Sequence, residues 1–359
     1  QADETKLPPK EWNLKKLLTS HEMAHVAFTL AMQTVMGAFV LLTLGRWFGL
    51  GPLAQGVGAW LPWVMVALAA FGLLKLNMHL GRPHRFYRGF YNLRLSPVSR
   101  EIAGVSAFFA GLAGYAFFNL FDNAVTGALR ELSALLALAG IGVGGFYMYK
   151  LYRIKARPYW DHWHTAVAFV STAVAGGAVL VALAALIGGA FTPALGQLTG
   201  WLAALALAVE AAALFAQWRQ QHAASSEAAV SWVFMTRTYG HSFSLRLALM
   251  AAAFIAALAL AASGWPAALI ALATALLAEK LLGRALFFAV VVPTTMPGAY
   301  FWKNPGFIEH AREVGLADNP LLGVAYEGHH KFRLDELIAT IRDTSWEEKK
   351  DQLRRIFTG

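Results

Sequence analysis

Residues 79 to 101 read His-Leu-Gly-Arg-Pro-His-Arg-Phe-Tyr-Arg-Gly-Phe-Tyr-Asn-Leu-Arg-Leu-Ser-Pro-Val-Ser-Arg-Glu and lie between two long apolar runs. His79 falls at the end of one expected helix and Glu101 at the start of the next, with Arg82, Arg85, Arg88, Arg94 and Arg100 and the aromatics Phe86, Tyr87 and Phe90 between them. A histidine with an ordinary pKa of about 6.5 can take up a proton and pass it on at physiological pH. Glu101 can accept a second proton or relay it outward. Cations, proton acceptors and flat apolar surfaces on one membrane face together suit a quinone head group. The plainer account has His79 capping a helix end and Glu101 at the positive N-terminus of a helix. Spacing alone leaves both accounts open.

Charges inside an apolar run are the next candidates, because ionisable groups in a span are costly and so functional by default. Ala278-Glu279-Lys280-Leu281-Leu282-Gly283-Arg284 falls midway along the last apolar run. Adjacent Glu279 and Lys280 point about 100° apart on a helix, so each is expected to seek partners on neighbouring helices. Glu210 is a further candidate, and Lys75 lies near enough a helix end to snorkel. Interhelical polar clamps are the structural alternative for Glu210, Glu279 and Arg284. An ion path through the same three residues would mark a secondary transporter, but prolines cluster at the ends of the runs and not in broken midplane helices. His21, His25, His79, His162, His164, His222 and His241 all fall at or beyond the run ends, with none in mid-run. A b haem needs inward-facing histidines on facing helices, so that reading is weak. His329-His330 is weak evidence for a metal.

These residues need a membrane scaffold to position them. With 359 residues, 57% hydrophobic and only 14% charged, and a mean hydropathy of +0.49, the chain is too apolar for a soluble domain. Eight stretches reach the roughly 20 apolar residues of a helical span. They lie near 24 to 50, 57 to 81, 100 to 121, 127 to 150, 163 to 189, 197 to 217, 244 to 263 and 266 to 292. Segments of about ten residues with alternating polarity, as in a membrane barrel, are not seen. The expected fold is all-α: an eight-transmembrane-helix bundle over 24 to 292, preceded by a polar arm (1 to 23) and followed by a cytoplasmic C-terminal tail (293 to 359). The arm has no cleavable signal pattern, so the first helix is expected to stay in the mature chain. In the tail, helices are expected around Pro305 to Val314 and Leu334 to Ile356, the second interrupted at Asp343 to Ser345. That tail is too short to carry a catalytic domain and suits a docking strap.

Charge is unevenly distributed between the two faces. Gly51 to Gly56, Asp122 to Gly127, Gly189 to Gly196 and Ser263 to Trp265 are short, and only Arg46 and Arg130, of 30 Lys and Arg residues, fall on that side. The N-terminal arm, the 79 to 101 loop, Lys150 to Arg157, the 218 to 243 connection and the tail make the other face basic. By the positive-inside rule the basic face and both termini are cytoplasmic, in a bacterial inner membrane. The net charge of +9 is thus spread along membrane-adjacent loops. It points to membrane lipids and an acidic protein surface, not to nucleic acid. Zero cysteines rule out a cysteine-ligated iron–sulfur cluster in this chain, so redox metal centres must come from a partner.

His79-Leu80-Gly81-Arg82-Pro83, then Ser99-Arg100-Glu101-Ile102, then Glu279 with Leu282-Gly283-Arg284 and Phe287, resemble the DmsC family, as does the Pro158-Tyr159-Trp160 entry to the fifth helix. Members of that family are membrane anchors of dimethyl-sulfoxide-reductase-type molybdenum enzymes. The resemblance implies an eight-helix bundle without haem, an iron–sulfur subunit docked on its cytoplasmic face, and a molybdopterin catalytic subunit beyond that. It implies a quinone, ubiquinone or menaquinone, at the anchor, with no metal held by this chain. It also implies that His79 and Glu101 act at the quinol site, with Arg82, Arg85, Phe86, Arg100, Glu279 and Arg284 as candidate contacts. The tail is longer than in a dimethyl sulfoxide reductase anchor. This favours the similar anchor of the cytoplasm-facing sulfite dehydrogenase of sulfur-oxidising bacteria, in which electrons from sulfite enter the quinone pool.

Overall fold

In the computed structural model, residues 18, 22–50, 60–78, 83–222, 227–293, 338, 339 and 342–358 are described, and among them there is no β-strand. Among these residues, nine helices follow one another through the apolar region. They are α1 Met23–Trp47, α2 Leu61–Met78, α3 Pro97–Phe118, α4 Ala124–Lys150, α5 Trp163–Ile187, α6 Pro193–His222, α7 Glu227–Val233, α8 Gly240–Ser263 and α9 Pro266–Ala289. A tenth, α10, spans Trp346–Thr358.

Seven of these helices, α1, α3 to α6, α8 and α9, are long and apolar enough to cross a membrane. The remaining member of the expected eight, α2, is apolar but shorter. Helix starts are set by polar caps at the ends of the runs. Ser96 accepts a hydrogen bond from Ser99 N–H at 3.3 Å ahead of Pro97 at the first helical position. Asn123 accepts from Thr126 N–H at 2.9 Å ahead of α4. These caps start α3 at Pro97 and α4 at Ala124, ahead of the apolar runs near 100 and 127.

The helices form two packed groups. α3 and α4 make a tight antiparallel pair, and α6, α8, α9 and α5 gather around one another, with α1 packed on α2 and α5. α1 and α5 cross backbone to backbone, and a Cβ on Gly37 would overlap the Ala173 carbonyl oxygen. Over Thr172–Gly176, facing this crossing, α5 widens into a π turn. Such turns insert one extra residue into a helix and often mark functional positions.

Two connections are more ordered than their polarity suggests. The 218 to 243 region, expected as a connection, continues α6 to His222 and then forms α7 and a π turn over Phe234–Thr238. It is held by the buried side chains of Ala228, Ser231, Trp232 and Met235. The arginine-rich segment folds into a 3-10 helix over Pro83–Phe90 followed by turns to Leu95. Of the tail, the expected helix around Pro305 to Val314 and the His329-His330 pair lie outside the described residues. The expected interruption is present: the helix breaks at Thr344 and Ser345 before α10 begins.

Candidate functional site

Two polar features and one apolar one converge on the basic half of the bundle. The first is the 79 to 101 segment. His79 and Arg82 lie outside the described residues, as does the Arg85 side chain. Phe86 is exposed on the 3-10 helix. Arg100 is engaged within the fold. Its Nε donates to the Leu93 carbonyl at 2.7 Å, one Nη to the Tyr147 hydroxyl at 2.9 Å and the other to the Arg94 carbonyl, while the guanidinium lies over the Tyr147 ring. It ties the segment to the end of α4. Glu101, in the first turns of α3, is half-buried.

Beyond α4 the backbone passes through Tyr152, whose ring centre lies 5.1 Å from Trp160, 5.5 Å from Phe169 and 5.3 Å from Phe287. Burial first, and then the nearby Glu101 carboxylate, hold the Tyr152 hydroxyl above the usual phenol range, while Arg284 acts in the opposite sense. Glu101 and Arg284, distant in sequence, are thereby within electrostatic reach of one tyrosine. The Pro158-Tyr159-Trp160 entry fixes this wall. Gln221 and Gln217 donate to the Pro158 and Tyr159 carbonyls at 3.0 and 2.8 Å, and Trp160 Nε1 donates to the Phe287 carbonyl at 2.8 Å. Trp160 stacks on Phe287 with a centroid distance of 5.3 Å and an interplanar angle of 17°.

The second feature is a buried ion network. Arg246 donates to Glu279 at 3.1 Å and to Glu210 at 3.2 Å. Lys280 Nζ bonds to Glu210, lies 3.1 Å from Glu279 and reaches Ser171 at 3.4 Å. Neighbours on one helix, Glu279 and Lys280 thus find partners on other helices, Arg246 and Glu210, and also meet each other. Two carboxylates face three cations, since Arg284 completes the cluster. Its Nη2 donates to Gln33 Oε1 at 2.8 Å and its guanidinium lies 4.0 Å from the Phe169 ring centre. Glu210 is 2% and Glu279 0% exposed. A charge left alone at that depth would be expensive, and each carboxylate here is held by two cations. That is the arrangement of an interhelical clamp.

Gly283 makes the network possible, because a Cβ there would sit 2.6 Å from Arg246 Nε. His164, in the first turn of α5, joins these groups around a cavity of about 20 Å³, room for one water. Neither of its ring nitrogens has a hydrogen-bond partner among the described residues. Arg246 and Gln33 were not among the residues singled out from sequence.

The third feature is a crevice of about 380 Å³ between α4 on one side and α1 with α5 on the other, its walls including Met36, Val40, Phe146, Met148, Phe169 and Val174. Phe146 and Val170 on its rim are 53% and 61% exposed, so it opens where lipid would lie. Among the described residues no group of histidines, aspartates or glutamates has a metal-binding arrangement.

The decisive comparison is with protein families. The family model described as DMSO reductase anchor subunit (DmsC) matches residues 18–290. The chain belongs to the DmsC family. The C subunit of the anaerobic dimethyl sulfoxide reductase of Escherichia coli (strain K12) is 27% identical over 285 residues, 75% of this chain and 95% of that one. The YnfH subunit of an anaerobic dimethyl sulfoxide reductase in the same organism is 30% identical over 166 residues, 45% of this chain and 57% of its own length. No solved structure matches. The DmsC match takes in α1 to α9 and the motifs around Glu101, Tyr159 and Glu279, while residues 291–359 lie beyond it. This DmsC-family chain is therefore a multi-pass membrane protein, with seven helices able to span among the described residues.

Proposed function

We propose that the chain is the quinone-reactive anchor of a heterotrimeric molybdenum oxidoreductase. In this reading α2 is the eighth span, the basic face is cytoplasmic, and an iron–sulfur subunit docks there beneath a molybdopterin catalytic subunit. The observation that carries the reading is the aromatic wall of Tyr152, Trp160, Phe169 and Phe287, which shares Phe169 with a crevice open to lipid and has Glu101 within electrostatic reach of Tyr152. A quinone needs an apolar route from the bilayer, flat surfaces for its ring and groups that exchange protons with water. Glu101 and His79 handle the protons and the arginines meet the partner or the head group. Electrons pass to or from the partner's nearest cluster, because no cysteine is present here to hold one.

The complex is proposed to oxidise sulfite and reduce quinone. This choice rests on the length of the tail beyond the DmsC match, residues 291–359, and on the arginine-rich face of the bundle. The relatives are named as chains of anaerobic dimethyl sulfoxide reductases, which favours the opposite direction, reduction of dimethyl sulfoxide. Turnover of the purified complex separates the two: sulfite-dependent quinone reduction without quinol-dependent dimethyl sulfoxide reduction is expected, and the reverse would replace the substrate while keeping the anchor role. Glu101→Gln and His79→Ala are each expected to lower quinone turnover at least about tenfold, as for loss of a proton-transfer group. Unchanged turnover in both variants would remove the site.

A further inference from the structure

We infer that the crevice between α4 and α1/α5 is itself a quinone-binding position, with the Gln33 side-chain amide donating a hydrogen bond to a quinone carbonyl. This rests on the quinone reading above and names a residue and a place for it. Gln33 is buried, and its two ends are not equivalent. Its Oε1 accepts from Arg284 Nη2 at 2.8 Å, and this fixes which way the amide points. Its Nε2 is thereby turned to the crevice, where its acceptor is the thioether sulfur of Met148 at 3.4 Å. A thioether is a weak acceptor, and a buried amide N–H costs free energy unless it finds a better one. The rest of the wall is nearly all apolar, so a ligand there gains affinity by burial and orientation from this one donor.

Depth selects the ligand. Gln33 stands ten residues beyond the start of α1 at Met23, about 15 Å along the helix at 1.5 Å per residue. In a hydrocarbon core about 30 Å thick, that is near the middle. Ester carbonyls of phospholipids stay near the interface, whereas an isoprenoid quinone carries its carbonyls into the hydrocarbon. The crevice volume of about 380 Å³ falls within the range of roughly 300–1,000 Å³ usual for small-molecule sites. Phe169 links the crevice to the proton-handling side. It lines the crevice and also packs edge-on against Tyr152, which lies within electrostatic reach of Glu101.

The test is photolabelling of the intact complex in its native lipids with an azido-quinone, read by peptide mass spectrometry, beside steady-state kinetics. Labelling is expected on the 141–149 and 166–174 peptides, competed by unmodified quinone. Gln33→Leu is expected to raise the quinone KM about fivefold to tenfold, the effect of losing one hydrogen bond, with little change in kcat. Because Gln33→Leu also strips Arg284 of a partner, Val40→Trp provides an independent variant that fills the crevice without touching the ion network. It is expected to abolish the crevice labelling. Glu101→Gln is expected to lose turnover while keeping that labelling. Quinone turnover that depends on Glu101, with no competed label in the crevice or with phospholipid alone held there, would overturn this inference and leave the anchor function standing. Absence of quinone turnover in the unaltered complex would overturn both.

Discussion

At the scale of single residues, the ion network and the entry to α5 depend on a few polar atoms with defined partners. His162 caps α5: its Nδ1 accepts from the His164 N–H at 3.1 Å, and its Nε2 meets Gln220 Oε1 at 2.9 Å. Both contacts require the neutral ring with the proton on Nε2. Burial lowers its pKa, with Arg153 adding to the effect and the Gln220 bond opposing it. The unfolded chain therefore takes the proton more readily. The stabilisation is full above about pH 6.5 and is lost as pH falls through the lower folded value. Thermal unfolding of the purified protein should show this loss below about pH 6.5, and His162→Asn, a cap that does not titrate, should flatten it. Gly283→Ala should destabilise by about 1–3 kcal/mol in the same assay, as overpacking against the Arg246 guanidinium. Arg246→Ala should cost about 3–5 kcal/mol, because it leaves buried carboxylates short of a cation. Glu210, Glu279 and Arg284 were legible in the sequence because a charge inside an apolar run stands out. Arg246 was not, since it lies seven residues into α8, close enough to the polar connection to resemble a surface cation. Gln33 carries no charge, and only its contact with Arg284 reveals its importance.

At the scale of elements, hydropathy located the helices and capping chemistry set their ends. The apolar run near 100 to 121 becomes α3 at Pro97–Phe118, since Ser96 and Pro97 begin the helix where hydropathy alone does not. The run near 197 to 217 becomes α6 at Pro193–His222, because a helix continues beyond its apolar part when its polar turns find partners, as Gln217 and Gln221 do. The π turn in α5 has no signature in residue type; it follows from the crossing at Gly37 and Ala173, which only the packed structure shows. α10 illustrates the legible kind of signal. Ser345 and Glu348 form a reciprocal capping box, Glu348 N–H donating to Ser345 Oγ at 3.2 Å and Ser345 N–H to Glu348 Oε2 at 3.0 Å. Ser345→Ala should weaken α10 by about 1 kcal/mol. Hydrogen exchange over residues 346–358 should accelerate accordingly, and unchanged exchange would show that the box does not hold the helix.

At the scale of the whole molecule, one face collects cations and the other pairs the few it has. On the sparsely charged face Arg46 pairs with Glu131 at 2.6 Å and Arg130 with the same carboxylate at 3.3 Å. On the basic face Arg88 and Arg94 remain exposed. The absence of cysteine makes the proposed orientation directly testable, because a single introduced thiol has no background. A cysteine at Ala156 should react with a membrane-impermeant maleimide only after cells are opened, and one at Ala190 in intact spheroplasts. The inverse pattern would turn the partner-binding face outward. The claim on which the account stands is that this anchor binds a quinone in a site that includes Glu101. Equilibrium titration of the purified complex with a fluorescent quinone analogue measures it directly. Saturable binding displaced by quinone, with a component weakened about tenfold or more in Glu101→Gln, is the predicted result, and the absence of saturable binding to the intact complex would contradict it.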